Sequence, residues 1–302
     1  MIVVIGEALV DLTVDAAGGV LAHAGGGPFN VSRTVARLGR PVAFLGAIST
    51  DRFGSRLRAL LAEDGVALSS IVESALPTTL AVAEVDGDGA ASYRFYFAGT
   101  SAPAVTPDEA RARMPAGVTA LHVGTLGLVF EPLAAAVSAV VDDVADRALV
   151  LLDPNCRPAV VSDRPGFLAR VEALARRAHV VKLSEPDLAF IAPGAPPIEA
   201  ARALIGPGRV ALLTRGGEGA TVVTLDRTIE VPAPAVQVVD TIGAGDAFGG
   251  GFIAWWSERG LGPGSLAELD TVVEATRFAC RVAAKTCERA GADPPRRAEL
   301  GV

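Results

Sequence analysis

The stretch ALHVGTLGLVFEPLAAAVSAVVDDVADRALVLL, residues 120–152, decides the fold class. Ala120 to Val123 reads as a short strand, Leu133 to Asp146 as a helix, and Ala148 to Leu152 as a second strand. A strand, a crossover helix and another strand form a βαβ unit, whose strands run parallel and are covered on both faces. The rhythm extends in both directions. Upstream, Ile2 to Ile5 and Val42 to Ile48 read as strands. Pro28 to Leu38, ending at Gly39, and Phe53 to Glu63, stopped at Gly65, read as helices. Downstream, Gly166 to Arg177 and Pro186 to Ile191 read as helices, and Val180 to Leu183 and Val210 to Thr214 as strands. The expectation is an α/β chain with a mostly parallel sheet between helices.

One region breaks this rhythm. Thr79 to Val85 and Ser92 to Phe97 alternate like strands and are joined by Asp-Gly-Asp-Gly at 86–89, a hairpin signal. Tyr93, Phe95 and Phe97 fall on one face, Arg94 and Tyr96 on the other. Such an insert is a candidate lid; the competing reading is an edge hairpin without a role. No linker or repeat divides the 302 residues, so one domain with a small β appendage is expected.

Composition narrows the function. Half of the residues are hydrophobic, and the net charge of −7 argues against nucleic acid as a partner, because phosphate backbones demand clustered Lys and Arg. Three cysteines, Cys156, Cys280 and Cys287, fit a reducing compartment, and none has metal-ligand spacing. His23, His122 and His179 form no zinc motif. The first residues carry acids at Glu7 and Asp11 and no basic stretch, so no signal peptide is read and a cytoplasmic location is expected. The longest apolar helix candidate, Pro132 to Val141, is too short to cross a bilayer.

Three clusters carry chemistry. In the first, Val236 to Val239 reads as a strand leading through Asp240-Thr241-Ile242-Gly243-Ala244-Gly245-Asp246 into a helix from Ala247 to Trp255. Glycines let a backbone approach a ligand, and the free N–H groups of a first helical turn attract anions such as phosphate. Asp246 then sits where a base could face that phosphate. A Rossmann fingerprint does not fit, because the third glycine is misplaced and the acid would repel a pyrophosphate. Neither Lys182 nor Lys285 lies in a P-loop context. A nucleotide site here must therefore use backbone amides, arginine and a divalent metal. In the second cluster, Gly25-Gly26-Gly27-Pro28-Phe29-Asn30 enters a helix, and the Asn30 amide suits sugar hydroxyls. In the third, Asp153-Pro154-Asn155-Cys156-Arg157 follows a buried strand, where polar residues line the ligand crevice of open α/β sheets.

Together these residues resemble the ribokinase-like (PfkB-type) carbohydrate kinases over nearly the whole chain. The resemblance implies a three-layer fold with a β-sheet lid from about 11–24 and 76–101, and an ATP- and Mg²⁺-dependent sugar kinase. It implies Asp246 as the base and Gly243, Ala244 and Gly245 as the anion hole. Asp11, Gly26, Gly27, Asn30, Asn155 and Arg157, with Arg94 and Tyr96 from the lid, would hold the sugar. Lys182, Ser184, Thr214, Gly216, Gly219, Gly243, Gly245 and Cys280 would serve ATP. Asp187 would serve Mg²⁺, and the backbone of Asp240 and Ile242 a monovalent cation such as K⁺. Ser184 and Asp187 stand where the family has Asn and Glu, Ile242 replaces a common Thr, and Cys280 a common Asn. Asp153-Pro154-Asn155-x-Arg157 and Tyr93-Arg94-Phe95-Tyr96 resemble fructokinases most. Other acceptors within the family (ribose, 2-keto-3-deoxygluconate, a nucleoside) and a non-catalytic sugar or nucleotide sensor are the alternatives. A homodimer through the lid is the partner expected besides the sugar.

Overall fold

The computed structural model describes residues 1–85 and 91–301, with only the backbone of Val85 and of Ala91 to Tyr93. The Asp86 to Gly89 turn and the Tyr93 side chain lie outside the described residues. The chain runs β1 (Ile2–Ile5), β2 (Leu9–Val14), β3 (Val20–Gly25), α1 (Gly27–Arg37), β4 (Val42–Leu45), β5 (Ala47–Ser49), α2 (Arg52–Asp64), β6 (Val72–Ser74), β7 (Leu80–Val85) and β8 (Ala91–Tyr96). It continues through α3 (Pro107–Arg113), β9 (Ala120–Gly124), α4 (Leu133–Val144), β10 (Leu149–Asp153), α5 (Arg164–Ala175), β11 (Val180–Ser184), α6 (Glu185–Ile191) and α7 (Pro197–Ala203). It closes with β12 (Val210–Thr214), β13 (Ala220–Val223), β14 (Thr228–Val231), α8 (Ala244–Glu258) and α9 (Leu269–Cys287).

The large sheet has eight strands in the order β14-β13-β12-β11-β10-β9-β1-β4. All pairings are parallel except those of β13 and β14, which close one edge antiparallel. Alternation along each strand feeds two cores. Ile2, Val4, Leu149 and Leu151 pack under α1, α2, α8 and α9. Val3, Ile5, Val150 and Leu152 pack under α3 to α7. The stretch at 236–239 departs from expectation: it is not a strand. Val238 and Val239 are exposed, and the amides of Val239 and Asp240 bond the Cys287 carbonyl at the end of α9.

A second sheet orders β3-β2-β7-β8. Its register aligns Asp11 with Ala81 and Ala81 with Phe95, so these three share a face. That face, with Leu9 and Phe97, packs on Leu126 and Phe130, which follow β9. Val10, Val82, Arg94 and Tyr96 lie on the opposite face.

The glycine run of α8 lets helices approach closely. A Cβ at Gly250 would stand 2.7 Å from the Thr34 Cβ of α1. Alanine gains about 1 kcal/mol of helix propensity over glycine, but forcing a methyl into a filled contact costs about 1–3 kcal/mol. Gly250→Ala is therefore expected to lower the urea midpoint; a higher midpoint would contradict so close an α1–α8 approach.

Candidate active site

The carboxyl ends of the parallel strands meet the N-termini of α1 and α8, where open α/β sheets hold ligands. Asp246, on the first turn of α8, is buried, and its Oδ2 accepts a 2.9 Å hydrogen bond from Asn30 Nδ2 on α1. The α1 backbone comes right up to this carboxylate. A Cβ at Gly27 would lie 2.6 Å from Thr125 Cγ2 and 3.3 Å from Asp246 Oδ1, so no side chain fits there. Burial raises the Asp246 pKa, opposed by the Asn30 hydrogen bond and the charges of Lys182 and Arg157.

The turn before α8 leads into the N-terminus of that helix, where free amides favour an anion. Gly243 is its N-cap with φ 76, a left-handed conformation that suits glycine. The turn is fastened from outside: Asp240 accepts from the amides of Ile242 at 3.0 Å and Gly291 at 2.7 Å. Those bonds hold the Asp240 carboxyl below the usual range although partial burial opposes them. Beneath the turn, Lys182 Nζ lies 2.8 Å from Asp153 Oδ2 and 3.1 Å from where a Gly245 Cβ would stand. Burial alone would lower the ammonium pKa, but Asp153, Asp187 and Asp246 outweigh it and hold Lys182 charged.

Across the cleft, Asp11 is exposed, yet protein crowds around it. That crowding raises its carboxyl pKa; His23 opposes, Asp246 adds, and Arg157 opposes. The Arg157 guanidinium is exposed and folds onto the carbonyls of Asn155 and Cys156. Asn155 itself takes φ 40 just past β10. Thr214 ends β12, with its hydroxyl on the Leu183 carbonyl, and Gly216 and Gly219 turn the chain after it with φ 55 and 101.

Five expected site residues are not where the sequence put them. Arg94 and Tyr96 face away from Asp11, and Arg94 pairs with Glu84 at 3.5 Å on the outer side of the small sheet. The cause is register: their strand alternates, and Phe95 and Phe97 take the inner face. Asp187 does not fit a direct Mg²⁺ ligand. Its Oδ2 accepts from the Ser184 amide and hydroxyl, its Oδ1 from the Cys156 amide at 2.6 Å, and only 3% of the residue is exposed. It caps α6 and ties the 153–157 loop to it. Ser184 spends its hydroxyl on the same cap. Cys280 is buried in the core against the Val231 carbonyl, with no surface for a nucleotide.

Other buried groups escaped the sequence reading. Glu7 is almost wholly buried; Thr125 Oγ1 donates to it at 2.6 Å and Gly27 N at 3.2 Å. Burial pushes its carboxyl up to about 7, those hydrogen bonds oppose, and Asp246 adds. Thr125 pays for this contact with φ 50, rare for a β-branched residue. His122, on β9, is kept neutral by burial and by the Lys182 charge, its pKa pushed down to about 3. An acid closing a strand of apolar residues was the available signal for Glu7. Nothing local marked Thr125 or His122.

A buried carboxylate on the first turn of a helix, set against a glycine turn, has the chemistry of a phosphotransferase acting on an alcohol group. Residues 1–298 match the pfkB family carbohydrate kinases, and the chain belongs to that family. It is a sugar kinase of the fructokinase type. The fructokinase of Rhizobium leguminosarum bv. trifolii is 35% identical over 263 residues, covering 84% of this chain and 79% of that one. The fructokinase of Xylella fastidiosa with bound ATP superposes with a TM-score of 0.88 at 27% identity, covering 99% and 97% of the two chains. That of Vibrio cholerae O395 in its fructose-, ADP- and calcium-bound form gives 0.86 at 27%, over 99% and 97%.

Proposed function

We propose that the chain transfers the γ-phosphoryl group of ATP to fructose or a close ketohexose. The observation that carries this is the position of Asp246, clasped by Asn30, beside Gly27 and on the first turn behind Gly243 to Gly245. The attacking hydroxyl gives its proton to Asp246. The amides of the turn and the positive end of α8 hold the transferring phosphoryl. Lys182, sealed below Gly245, serves the phosphates through its charge. Asp11, Gly26, Gly27, Asn30, Asn155 and Arg157 hold the sugar; Thr214, Gly216 and Gly219 line the nucleotide side. Mg²⁺ arrives with the nucleotide phosphates, the usual way this ion is held. A monovalent cation at the 240–242 turn would take carbonyl oxygens of Asp240 and Ile242, since the Asp240 carboxylate is already bonded.

Two observations favour a sugar over a nucleoside. Arg157 offers a fork of donors at the cleft. The apolar face of the small sheet is filled by its own rings, Phe97 stacking on Phe95 at 5.4 Å and packing on Phe130 at 4.3 Å. The small sheet acts as a lid, and its outer face, with Val20 and Tyr96 exposed, pairs two copies. No helix among the described residues is long and apolar enough to cross a membrane, and we place the enzyme in the cytoplasm. Measured side by side, kcat/KM for fructose is expected to exceed that for ribose, 2-keto-3-deoxygluconate and adenosine. A tenfold preference for another acceptor, about 1.4 kcal/mol in the transition state, overturns the fructose assignment. No ATP turnover with any of them would point to a sensor.

A further inference from the structure

Helix α1 carries Asn30, Arg33 and Arg37 along one face, three and four residues apart. Asn30 holds Asp246. Further along, Arg33 Nε and Arg37 Nε each donate to Asp64 at the end of α2, both at 2.7 Å. The Asp64 side chain is only 2% exposed, and Arg296 adds a third contact at 3.3 Å. The same two arginines also grip the chain beyond α9. Arg37 Nη1 donates to Asp293 Oδ1 at 2.5 Å and to the Pro294 carbonyl at 2.7 Å, and Arg33 Nη1 donates to the Ala292 carbonyl at 3.4 Å. The segment they hold leans on the anion turn. A Cβ at Gly243 would stand 2.6 Å from the Ala292 Cβ, and the Gly291 amide donates to Asp240 at 2.7 Å.

Residues 291–294 are thus pressed between the arginines of α1 and the 240–246 turn. Buried ion pairs contribute little net stability, because desolvating the charges offsets their attraction; fixing one geometry is their better-attested use. We propose that Asp64, Arg33 and Arg37 form a latch through which helix α1 sets the position of the phosphate-binding turn, with Ala292 and Asp293 as its contact points. They are positioning residues, remote from the reacting atoms. The latch makes one rigid unit of the helix that bears Asn30 and the turn that bears Asp246, so the base and the anion hole keep their register. The proposal rests on the assignment of those two elements to sugar and phosphate given above.

Hydrogen exchange on the full chain tests it without relying on turnover. Asp293 is 46% exposed at its side chain, so Asp293→Asn leaves the buried Asp64 pairs in place. Ala292→Gly removes the methyl against Gly243, with some added backbone freedom at 292 itself. In both variants the amides of 241–247 are expected to exchange about tenfold faster, while those of β10 and α5 keep their protection. At saturating substrates kcat should fall about tenfold to a hundredfold, the scale of a small misplacement, with the sugar KM within about twofold of wild type. Unchanged exchange at 241–247 in both variants overturns the latch, as does a uniform rise across the chain, which would mean general destabilisation. A wild-type protein that phosphorylates no sugar would overturn the functional assignment instead, and exchange would still decide the latch.

Discussion

Asp246→Asn is expected to lose about 10²–10⁴-fold in kcat, the usual contribution of a general base, while the folded protein still binds sugar and nucleotide. The substitution is isosteric, and the new side-chain carbonyl can still accept from Asn30 Nδ2, which now sits 2.9 Å from Oδ2. What it cannot do is take a proton. Stability separates this loss from misfolding. Because burial raises the Asp246 pKa, ionising it costs the folded state free energy at every pH above its unfolded value, including pH 7. The amide carries no such cost, so the variant should melt at or above the wild-type Tm at pH 7. The same shift has a kinetic counterpart. Wild-type kcat/KM should rise with pH through an acid limb lying above the ordinary aspartate range, because the base works only when ionised. A variant that keeps more than about half the wild-type rate would remove Asp246 from the role of base, given the size expected for such a group.

Much of this site was legible in the chain because its chemistry is local. The Gly243-Ala244-Gly245-Asp246 turn needs only its own glycines, a helix start and an acid. The Gly25 to Asn30 joint is equally self-contained, and the βαβ alternation follows from short apolar strands between helices. The failures share one property: each depends on partners far along the chain. Val236 to Val239 has the look of a strand, yet no neighbour among the described residues pairs with it; the Cys287 carbonyl, about 50 residues away, captures the amides of Val239 and Asp240 instead. Arg94 and Tyr96 were correctly opposed to Phe95 and Phe97, but which face turns inward is set through β7, whose Ala81 aligns with Phe95 on one side and with Asp11 of β2 on the other. Asp187 reads as a free acid at a metal motif until the 153–157 loop arrives and donates an amide to it. Glu7 and Thr125 meet across 118 residues.

The second large effect is expected at Lys182. Its Nζ lies 2.8 Å from Asp153 Oδ2, with the two side chains 5% and 1% exposed, and Asp153 Oδ1 has no hydrogen-bond partner among the described residues. Lys182→Met keeps the aliphatic length and strips the charge. Breaking a buried pair from one side leaves an uncompensated carboxylate and typically costs about 3–5 kcal/mol. That is a large share of the roughly 5–15 kcal/mol by which domains are stable. The loss should depend on pH in a defined sense. With its cation gone, Asp153 is held in its buried place with a pKa above the unfolded value, so the folded state favours its protonated form. Stability attached to such a group is present below the unfolded pKa and is lost as pH rises through the folded one. The gap between Lys182→Met and wild type in urea unfolding should therefore be smaller at pH 5 than at pH 8. Adding Asp153→Asn to Lys182→Met should recover much of the stability without restoring turnover, because the positive charge beneath Gly245 is still missing. A pH-independent gap, or no gain from the second substitution, would show that the cost comes from packing around the aliphatic stem and not from the stranded carboxylate.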